Sequence, residues 1–210
     1  SLLAPKKIFS SELLQPLKWV DEIRTTTSGH VAWNGYWPSS VTQFVVGAVG
    51  DTDLELLATS HMLYKQYNLK RVYYSAFSPI TGTPLENNSP ASSIRAHRLY
   101  EASFLLRDYG FDFEDLTFDI TGNLPTDVDP KLLWAQHNIV EPMEINRADL
   151  LELLHIPGIG KKGATSILAA RRQQTIRSLE ELNNLGINTH RAAPFIKLDG
   201  WHPSQQLAFR

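Results

Sequence analysis

A tight turn with two glycines, in the last third of the chain, places the strongest constraint on its fold. The turn has the sequence Leu154-His155-Ile156-Pro157-Gly158-Ile159-Gly160-Lys161-Lys162. It stands between two stretches whose apolar residues recur at helical spacing. Because glycine has no Cβ, the chain can reverse here and another group can approach the backbone closely. The sequence therefore predicts two helices joined by a short hairpin, with Ile159 packed between them as an apolar peg.

This hairpin has the chemistry of a phosphate-binding site. A helix N-terminus leaves backbone N–H groups unpaired and carries partial positive charge, so it attracts anions. None of the groups at the turn can contact a base edge, so the expected binding is independent of DNA sequence and sensitive to salt. The alternative is a plain turn between two helices that binds nothing, but the apolar pattern on both sides favours DNA binding. The predicted DNA-binding residues are Pro157, Gly158, Ile159, Gly160, Lys161, Lys162, Arg171 and Arg172.

Helical patterns around the hairpin predict an all-α domain over residues 141–210. Asn146 is predicted to cap the helix before the turn, and residues 161–172 form the helix after it. A capping box, Ser178-Leu179-Glu180-Glu181, opens a third helix. The segment Leu185-Gly186-Ile187-Asn188 then leads into a fourth. The unit of two helices and a turn is thus repeated once in degenerate form.

Residues 1–140 are predicted to form an α/β domain. Residues 43–49 and 71–77 are short runs rich in β-branched and aromatic side chains, which is typical of buried strands. Between them, Asp51 or Thr52 is placed to cap a helix that ends at Asn68. A strand, a helix and a strand of this length predict a βαβ unit with two parallel strands. Residues 25–40, which include Trp33, are predicted to form a loop.

The charges are unevenly distributed, although the formal net charge is only −2. Residues 155–197 contain seven Lys or Arg and two acids, whereas residues 108–129 contain seven acids and no base. The first segment could meet a polyanion and the second would repel it, unless both are simply solvated faces. The helix predicted over residues 94–109 has two open interpretations. Its basic residues extend the DNA surface, or they pair with neighbouring acids: Arg95, His97, Arg98 and Arg107 with Glu101 and Asp108.

Composition excludes several classes of protein. The chain has no cysteine, so it has no disulfide, no thiolate zinc site and no ligand for an iron–sulfur cluster. The seven histidines lack the spacing of a zinc site. No apolar run is long enough for a membrane helix, and the first residues do not have the pattern of a signal peptide. A cytoplasmic protein with no membrane partner is expected.

The C-terminal residues also match a known pattern. They are Asn146-Arg147-Ala148, Leu153-Leu154, Pro157-Gly158-Ile159-Gly160, Ala164, Ile167 and Arg171-Arg172. In these residues the segment closely resembles the tandem helix-hairpin-helix domain of DNA-uptake and DNA-repair proteins. Residues 178–182 and 185–187 resemble its weaker second copy, in which Asn188 replaces a hairpin glycine. The resemblance implies that hairpin N–H groups bind phosphate and that a monovalent cation, K⁺ or Na⁺, is held by the carbonyls of Leu154, Ile156 and Ile159.

A second resemblance covers nearly the whole chain. Its motifs are residues 40–48, residues 69–77, Arg95-x-His97-Arg98-Leu99-Tyr100 and Asp129-Pro130-Lys131, followed by the hairpin. In this order they resemble the C-terminal half of a bacterial radical SAM family associated with DNA modification or repair. The resemblance implies that residues 1–140 close a partial parallel βα barrel. It implies S-adenosylmethionine and a [4Fe–4S] cluster only for a complete family member, with Val46, Gly47 and Ala48 facing the adenosine. The alternative for these three residues is a buried strand with a packing glycine.

Three functions remain open at this point. The chain is the DNA-docking part of a larger enzyme whose cluster-bearing half or subunit lies elsewhere, and it has no catalytic residue of its own. Alternatively, it is a stand-alone DNA-binding protein whose α/β domain binds a partner. The third hypothesis is a DNA glycosylase or lyase, with Lys162 as a Schiff-base lysine. Against it, Asn188-Thr189-His190 lacks the carboxylate of the corresponding segment in hairpin-class glycosylases.

Overall fold

A computed structural model describes residues 6–29 and 35–203. The predicted loop residue Trp33 lies outside the described residues. Within the described ranges the chain is mixed α/β, with helices and two small parallel sheets. The elements in chain order are a π-helix (Phe9–Leu14), α1 (Gln15–Thr26), β1 (Val41–Val46), α2 (Asp53–Tyr67), β2 (Arg71–Ala76), α3 (Ser93–Asp108), a 3₁₀ turn (Phe113–Asp115), α4 (Pro130–Asn138), β3 (Met143–Glu144), α5 (Leu150–His155), α6 (Lys161–Ala170), α7 (Leu179–Asn184), α8 (Thr189–Ala192), a second 3₁₀ turn (Ala193–Phe195) and β4 (Ile196–Lys197).

The predicted parallel βαβ unit is confirmed. β1 and β2 pair in parallel, in a register that runs from Val41 opposite Arg71 to Val46 opposite Ala76. The connecting helix α2 begins with a capping box in which the Thr52 side chain accepts a hydrogen bond from the amide of residue 55. It ends at Asn68, which adopts the left-handed conformation with φ of 49°. The local capping signals therefore set both ends of this helix.

The two faces of the β1–β2 sheet differ in exposure. Val46, Val72 and Tyr74 are buried, with Tyr74 only 3% exposed. On the other face, Val41 is 50% exposed and Tyr73 is 39% exposed. Tyr73 and Tyr74 therefore lie on opposite faces, and the face that carries Tyr73 is partly exposed.

The chain divides into two compact units. The first comprises residues 1–103 and 118–126, and the second comprises residues 104–117 and 127–210. The predicted boundary at residue 140 therefore differs from this division, since the unit that contains the hairpins also includes α4 and the end of α3. The reason is packing, because Ala135 belongs to the core of the second unit and Tyr109 and Trp134 pack against that core.

The sequence predicted a purely helical domain over residues 141–210, but the second unit also contains a small parallel sheet. Met143 and Glu144 pair in parallel with Ile196 and Lys197, so the chain entering the first hairpin meets the chain leaving the second. Strands of two residues are too short to produce an alternating pattern, so they could not be predicted from the sequence. The core around this pairing includes large side chains that are at most 1% exposed: Ile145, Leu153, Ile156, Ile159, Ile167, Ile176, Leu182 and Ile196.

The predicted helix cap at Asn146 is wrong. Helix α5 begins three residues later and is capped by Asp149, whose side chain accepts a hydrogen bond from the amide of Glu152 at 2.9 Å. The Asn146 amide instead pairs with the backbone of Ile176 in both directions, each bond measuring 2.9 Å. Two residues able to cap a helix stand three positions apart, and the first of them is engaged by the backbone of Ile176, 30 residues away.

Candidate nucleic-acid interface

The first hairpin, residues 157–162, joins α5 to α6 as a compact turn. Gly158 has a φ of +83°, a conformation that glycine adopts without strain. Ile159 is 1% exposed and lies in the core of the second unit, as the peg model expects. Gly160 occupies the N-cap position of α6 and provides no side-chain cap. The turn is therefore anchored by its isoleucine, while its two glycines leave the backbone uncovered by side chains of their own.

The second hairpin, residues 185–190, holds the first in place. The Asn188 amide donates a hydrogen bond to the Gly158 carbonyl at 3.2 Å. A Cβ on Gly158 would lie 2.4 Å from the Asn188 carbonyl oxygen, so this close contact requires glycine. The Asn188 side chain caps the four-residue helix α8 by accepting a hydrogen bond from the Arg191 amide. The second copy is thus closed by its own cap and acts as a support for the first.

The backbone amides of the first hairpin lack acceptors. Within residues 6–29 and 35–203, the N–H groups of Gly158 and Gly160 donate to no protein atom, whereas that of Ile159 donates to the Ile156 carbonyl. The first turn of α6 adds the N–H groups of residues 161–163, because the N-cap glycine cannot satisfy them. Unsatisfied backbone donors are rare in folded proteins and call for an acceptor from water or a ligand. These donors lie within six residues of one another, where a ten-residue helix begins.

One of the two hairpin lysines is paired with an acid. The Lys161 ammonium lies 2.7 Å from a carboxylate oxygen of Asp108, whose second oxygen accepts a hydrogen bond from Arg107 at 2.5 Å. Burial raises the pKa of Asp108, but the hydrogen bonds from Arg107 and Lys161 outweigh it and lower the pKa overall. The sequence placed Asp108 in a segment expected to repel a polyanion. The structure instead shows this acid bound to a residue of the predicted DNA surface.

The remaining predicted cations differ in their surroundings. Lys162 and Arg172 are exposed, and neither has an ion-pair partner among the described residues. Arg171 instead turns to the protein, where its guanidinium donates to the carbonyls of Ile145 and Ala148 at 3.0 and 2.5 Å. Its contacts tie α6 to the segment before α5. Lys162 is therefore the hairpin cation most available to an external anion.

Two basic residues that the sequence analysis missed also lie at this hairpin. The Arg191 guanidinium pairs with the carboxylate of Asp129, whose other oxygen caps α4. The Lys131 ammonium donates to the Ile159 carbonyl at 2.6 Å and lies 4.8 Å from the centroid of the Tyr109 ring. Burial lowers the pKa of Lys131 to about 7, while Asp129 raises it and Arg191 lowers it further. The only sequence signal for Lys131 was its place after Asp129-Pro130, one of the motifs of the second resemblance.

Two of the three hairpin carbonyls expected to hold a monovalent cation already accept hydrogen bonds from the protein. Of the three carbonyls, that of Ile156 accepts the Ile159 amide at 3.1 Å and that of Ile159 accepts the Lys131 ammonium. A metal ion on the Ile159 oxygen would touch a positively charged group already bound there. The arrangement around Leu154, Ile156 and Ile159 therefore does not fit a K⁺ or Na⁺ ion while Lys131 remains in place.

The segment expected to face adenosine is packed against its own chain. Val46 and Ala48 are buried, with 0% and 2% exposure. A Cβ on Gly47 would lie 2.8 Å from the Cβ of Ala91 and 3.1 Å from the Arg95 guanidinium. This packing favours the alternative of a buried strand followed by a packing glycine. The adenosine contact stays a prediction.

The basic residues in the first part of α3 are paired with acids. Arg95 binds the buried Asp53 at 2.7 Å, and Arg98 binds Glu101 at 2.7 Å. His97 also lies 3.2 Å from Glu101. Of the two interpretations of this helix, the structure favours charge pairing within the protein.

Comparisons with known proteins gave no match to a protein-family model, to a curated protein or to a solved structure. In the part of the chain that the structure describes, no helix is long and apolar enough to cross a membrane. The same described residues contain no group of three or more His, Asp or Glu side chains placed to hold a metal ion. The candidate site therefore stands on the geometry of the first hairpin.

Proposed function

We propose that the second compact unit binds DNA through the sugar-phosphate backbone at the first hairpin, without regard to base sequence. The observation that carries the proposal is the set of backbone N–H groups at Gly158, Gly160 and residues 161–163 that have no acceptor in the described chain. A phosphate supplies several strong acceptor oxygens, and a helix N-terminus favours its negative charge. These donors contact no base edge, so they provide affinity rather than sequence discrimination.

The charges around the hairpin support the same ligand. Lys162 is exposed and stands in the first turn of α6, beside the unpaired amides. The side chain of Lys161 is 56% exposed, so its ion pair with Asp108 is weak and open to competition by phosphate. DNA that displaces the carboxylate exchanges one anionic partner for another at the same ammonium. Binding is therefore expected to be salt-sensitive and moderate in affinity.

We further propose that this binding unit docks DNA for a larger radical SAM-type enzyme. The supporting observation is the partly exposed face of the β1–β2 sheet, where Val41 and Tyr73 are 50% and 39% exposed. Parallel sheets are normally covered on both faces, so a two-stranded parallel sheet with one partly exposed face suits part of a larger α/β assembly. On this face Val41, Val45 and Tyr73 lie among Gln43, Arg71 and Ser75. The test is the native reading frame upstream of Ser1. An adjoining Cys-x3-Cys-x2-Cys segment supports the docking role, whereas a natural start codon at that point supports a stand-alone protein.

A salt series on random-sequence duplexes tests the DNA-binding proposal. Fluorescence anisotropy would give the dissociation constant of the wild type, of Lys162→Ala and of Lys65→Ala between about 50 and 200 mM salt. Lys65 is an exposed lysine near the end of α2 in the first unit, which makes its variant a matched control. We expect Lys162→Ala to weaken binding and to reduce the salt slope by about 1, because one phosphate contact is lost. Lys65→Ala should leave both quantities unchanged.

Blocking the backbone approach provides an independent measurement. Gly160 has a φ of −101°, which any residue adopts, and a Cβ there would meet only the Tyr109 hydroxyl at 3.3 Å. Gly160→Val should therefore fold and bind DNA several-fold more weakly than the wild type. If the folded variant binds equally well, or if Lys162→Ala behaves like Lys65→Ala, the hairpin is not the DNA-binding site. A preference among duplexes of different sequence would contradict the backbone mode.

The lyase hypothesis has a separate test. Lys162 is exposed, and within the described chain Asn188 and Thr189 serve local packing, since Asn188 caps α8 and the Thr189 hydroxyl donates to Asn183. No observation in the structure favours this function over backbone binding. Borohydride trapping on abasic-site DNA should give no covalent adduct. An adduct that depends on Lys162 would support the lyase hypothesis.

A further inference from the structure

We infer that the ammonium group of Lys131 is the resident cation of the first hairpin, in the place where the hairpin carbonyls would otherwise hold a monovalent metal ion. The inference deepens the proposed function, because it assigns a residue from outside the hairpin motif to the same site. It concerns how the hairpin is held together, so part of it can be tested without DNA.

The position of Lys131 carries the inference. It lies in the first turn of α4, 28 residues before Ile159, yet its ammonium donates to the Ile159 carbonyl at 2.6 Å. Ile159 is the residue between the two glycines, so this bond holds the centre of the turn from the side of the protein interior. The ammonium also lies 4.8 Å from the Tyr109 ring centroid, a contact in which the ring face attracts a cation.

The neighbouring charges suit one cation rather than two. Burial lowers the pKa of Lys131 and the nearby Asp129 carboxylate raises it, but that carboxylate is already paired with Arg191. A metal ion on the Ile159 oxygen would stand beside both the Lys131 ammonium and the Arg191 guanidinium. Because the Asp129 carboxylate is engaged with Arg191, the covalently attached cation excludes the mobile one.

The consequence is a hairpin that does not depend on the identity of the monovalent cation in solution. A hairpin that binds K⁺ or Na⁺ through carbonyls gains stability from the ion by mass action. In this hairpin the cation is the Lys131 ammonium, which is covalently attached to α4 and does not depend on the salt in solution. Removal of the lysine side chain's charge should leave the Ile159 carbonyl free, and the site should then respond to added K⁺.

Urea unfolding of the DNA-free protein at pH 6 is the decisive experiment. Wild type, Lys131→Met and Lys197→Met would be compared in potassium, sodium and tetramethylammonium chloride at equal concentration. Methionine keeps a long apolar side chain without the charge, and tetramethylammonium is too large to replace a lysine ammonium at a carbonyl. Lys197 is the matched control, because it lies in the same unit with its ammonium 3.9 Å from Glu141.

The expected result has two parts. The urea midpoints of the wild type and of Lys197→Met should be the same in all three salts. Lys131→Met should have a lower midpoint in tetramethylammonium chloride that rises in potassium or sodium chloride. The inference is overturned if the wild-type midpoint rises with K⁺ as much as that of Lys131→Met, or if Lys131→Met is neither destabilised nor sensitive to the salt.

Two further measurements keep the outcome clear. If Lys131→Met does not fold, thallous ion, which substitutes for K⁺, is titrated into the wild type and followed by thallium NMR. Saturable binding at one site overturns the inference, and its absence supports it. DNA affinity of the wild type in potassium and tetramethylammonium salts is measured separately. Absence of DNA binding in both salts contradicts the proposed function, while the unfolding result still decides the role of Lys131.

Discussion

Replacing Gly158 by alanine should destabilise the second unit much more than replacing Gly186 by alanine. The two glycines occupy equivalent turns and have nearly equal φ values, +83° and +81°. A Cβ in this region of conformational space costs roughly 1–2 kcal/mol, of which the stiffer unfolded chain returns about 0.4–1 kcal/mol. That net cost of about 1 kcal/mol is common to both positions, so the pair isolates the effect of the surroundings.

The surroundings differ sharply between these two positions. A Cβ on Gly186 would meet nothing within 4 Å, whereas one on Gly158 would lie 2.4 Å from the Asn188 carbonyl oxygen and 3.3 Å from the Ala192 amide nitrogen. Both neighbours are backbone atoms and cannot rotate away. Relieving the overlap must separate the two hairpins and break the hydrogen bond from the Asn188 amide to the Gly158 carbonyl. Overpacking of this kind costs about 1–3 kcal/mol, so we expect Gly158→Ala to lose that much more than Gly186→Ala.

Urea unfolding followed by circular dichroism measures the difference. With a typical denaturant slope of about 1–3 kcal/mol/M, the midpoint of Gly158→Ala should lie roughly 1 M below that of Gly186→Ala. DNA binding by Gly158→Ala should also weaken, because the amide donors of the first hairpin would move. Equal midpoints for the two variants would refute the argument that the second hairpin holds the first by backbone contact.

Two further predictions concern individual contacts. Asp108→Asn should tighten DNA binding up to about fivefold, because it releases Lys161 from an exposed ion pair of roughly 0.2–1 kcal/mol. Anisotropy measures the change in affinity, with Glu114→Gln as the control. An equal gain in affinity for Glu114→Gln would show that only net charge matters. Asn146→Ala should cost about 2–4 kcal/mol in urea unfolding, because the buried backbone of Ile176 loses both its partners. A loss below about 0.5 kcal/mol would mean that water replaces the amide.

Several features of this fold could be predicted because they depend on neighbours in sequence. Thr52 caps α2 with the residue three positions later, and Asn68 ends the helix by adopting a left-handed conformation. The turn at Gly158 and Gly160 follows from residues that need no side-chain room, and the burial of Ile159 follows from its place between two apolar helices. Such signals act over a few residues, so the structures that they specify do not depend on tertiary contacts with distant parts of the chain.

The partners of the charged residues could not be predicted in this way. Arg171 was expected on the DNA surface from its place at the end of a helix, but it donates to the carbonyls of Ile145 and Ala148. Asn146 had the residue type of a helix cap, but Ile176 captures its amide. In both cases a backbone segment more than twenty residues away competes successfully for the side chain.

The first hairpin, residues 157–162, combines features set by local sequence with features set by distant parts of the chain. The sequence by itself determined the turn, its glycines, its buried isoleucine and the start of α6, because local backbone sterics and helical periodicity specify them. Only the tertiary structure decided that Asp108 lies against Lys161, that Asp129 lies against Arg191 and that Lys131 reaches the Ile159 carbonyl. These pairs join residues 28 to 62 positions apart, and no local pattern records a meeting that depends on the path of the whole chain.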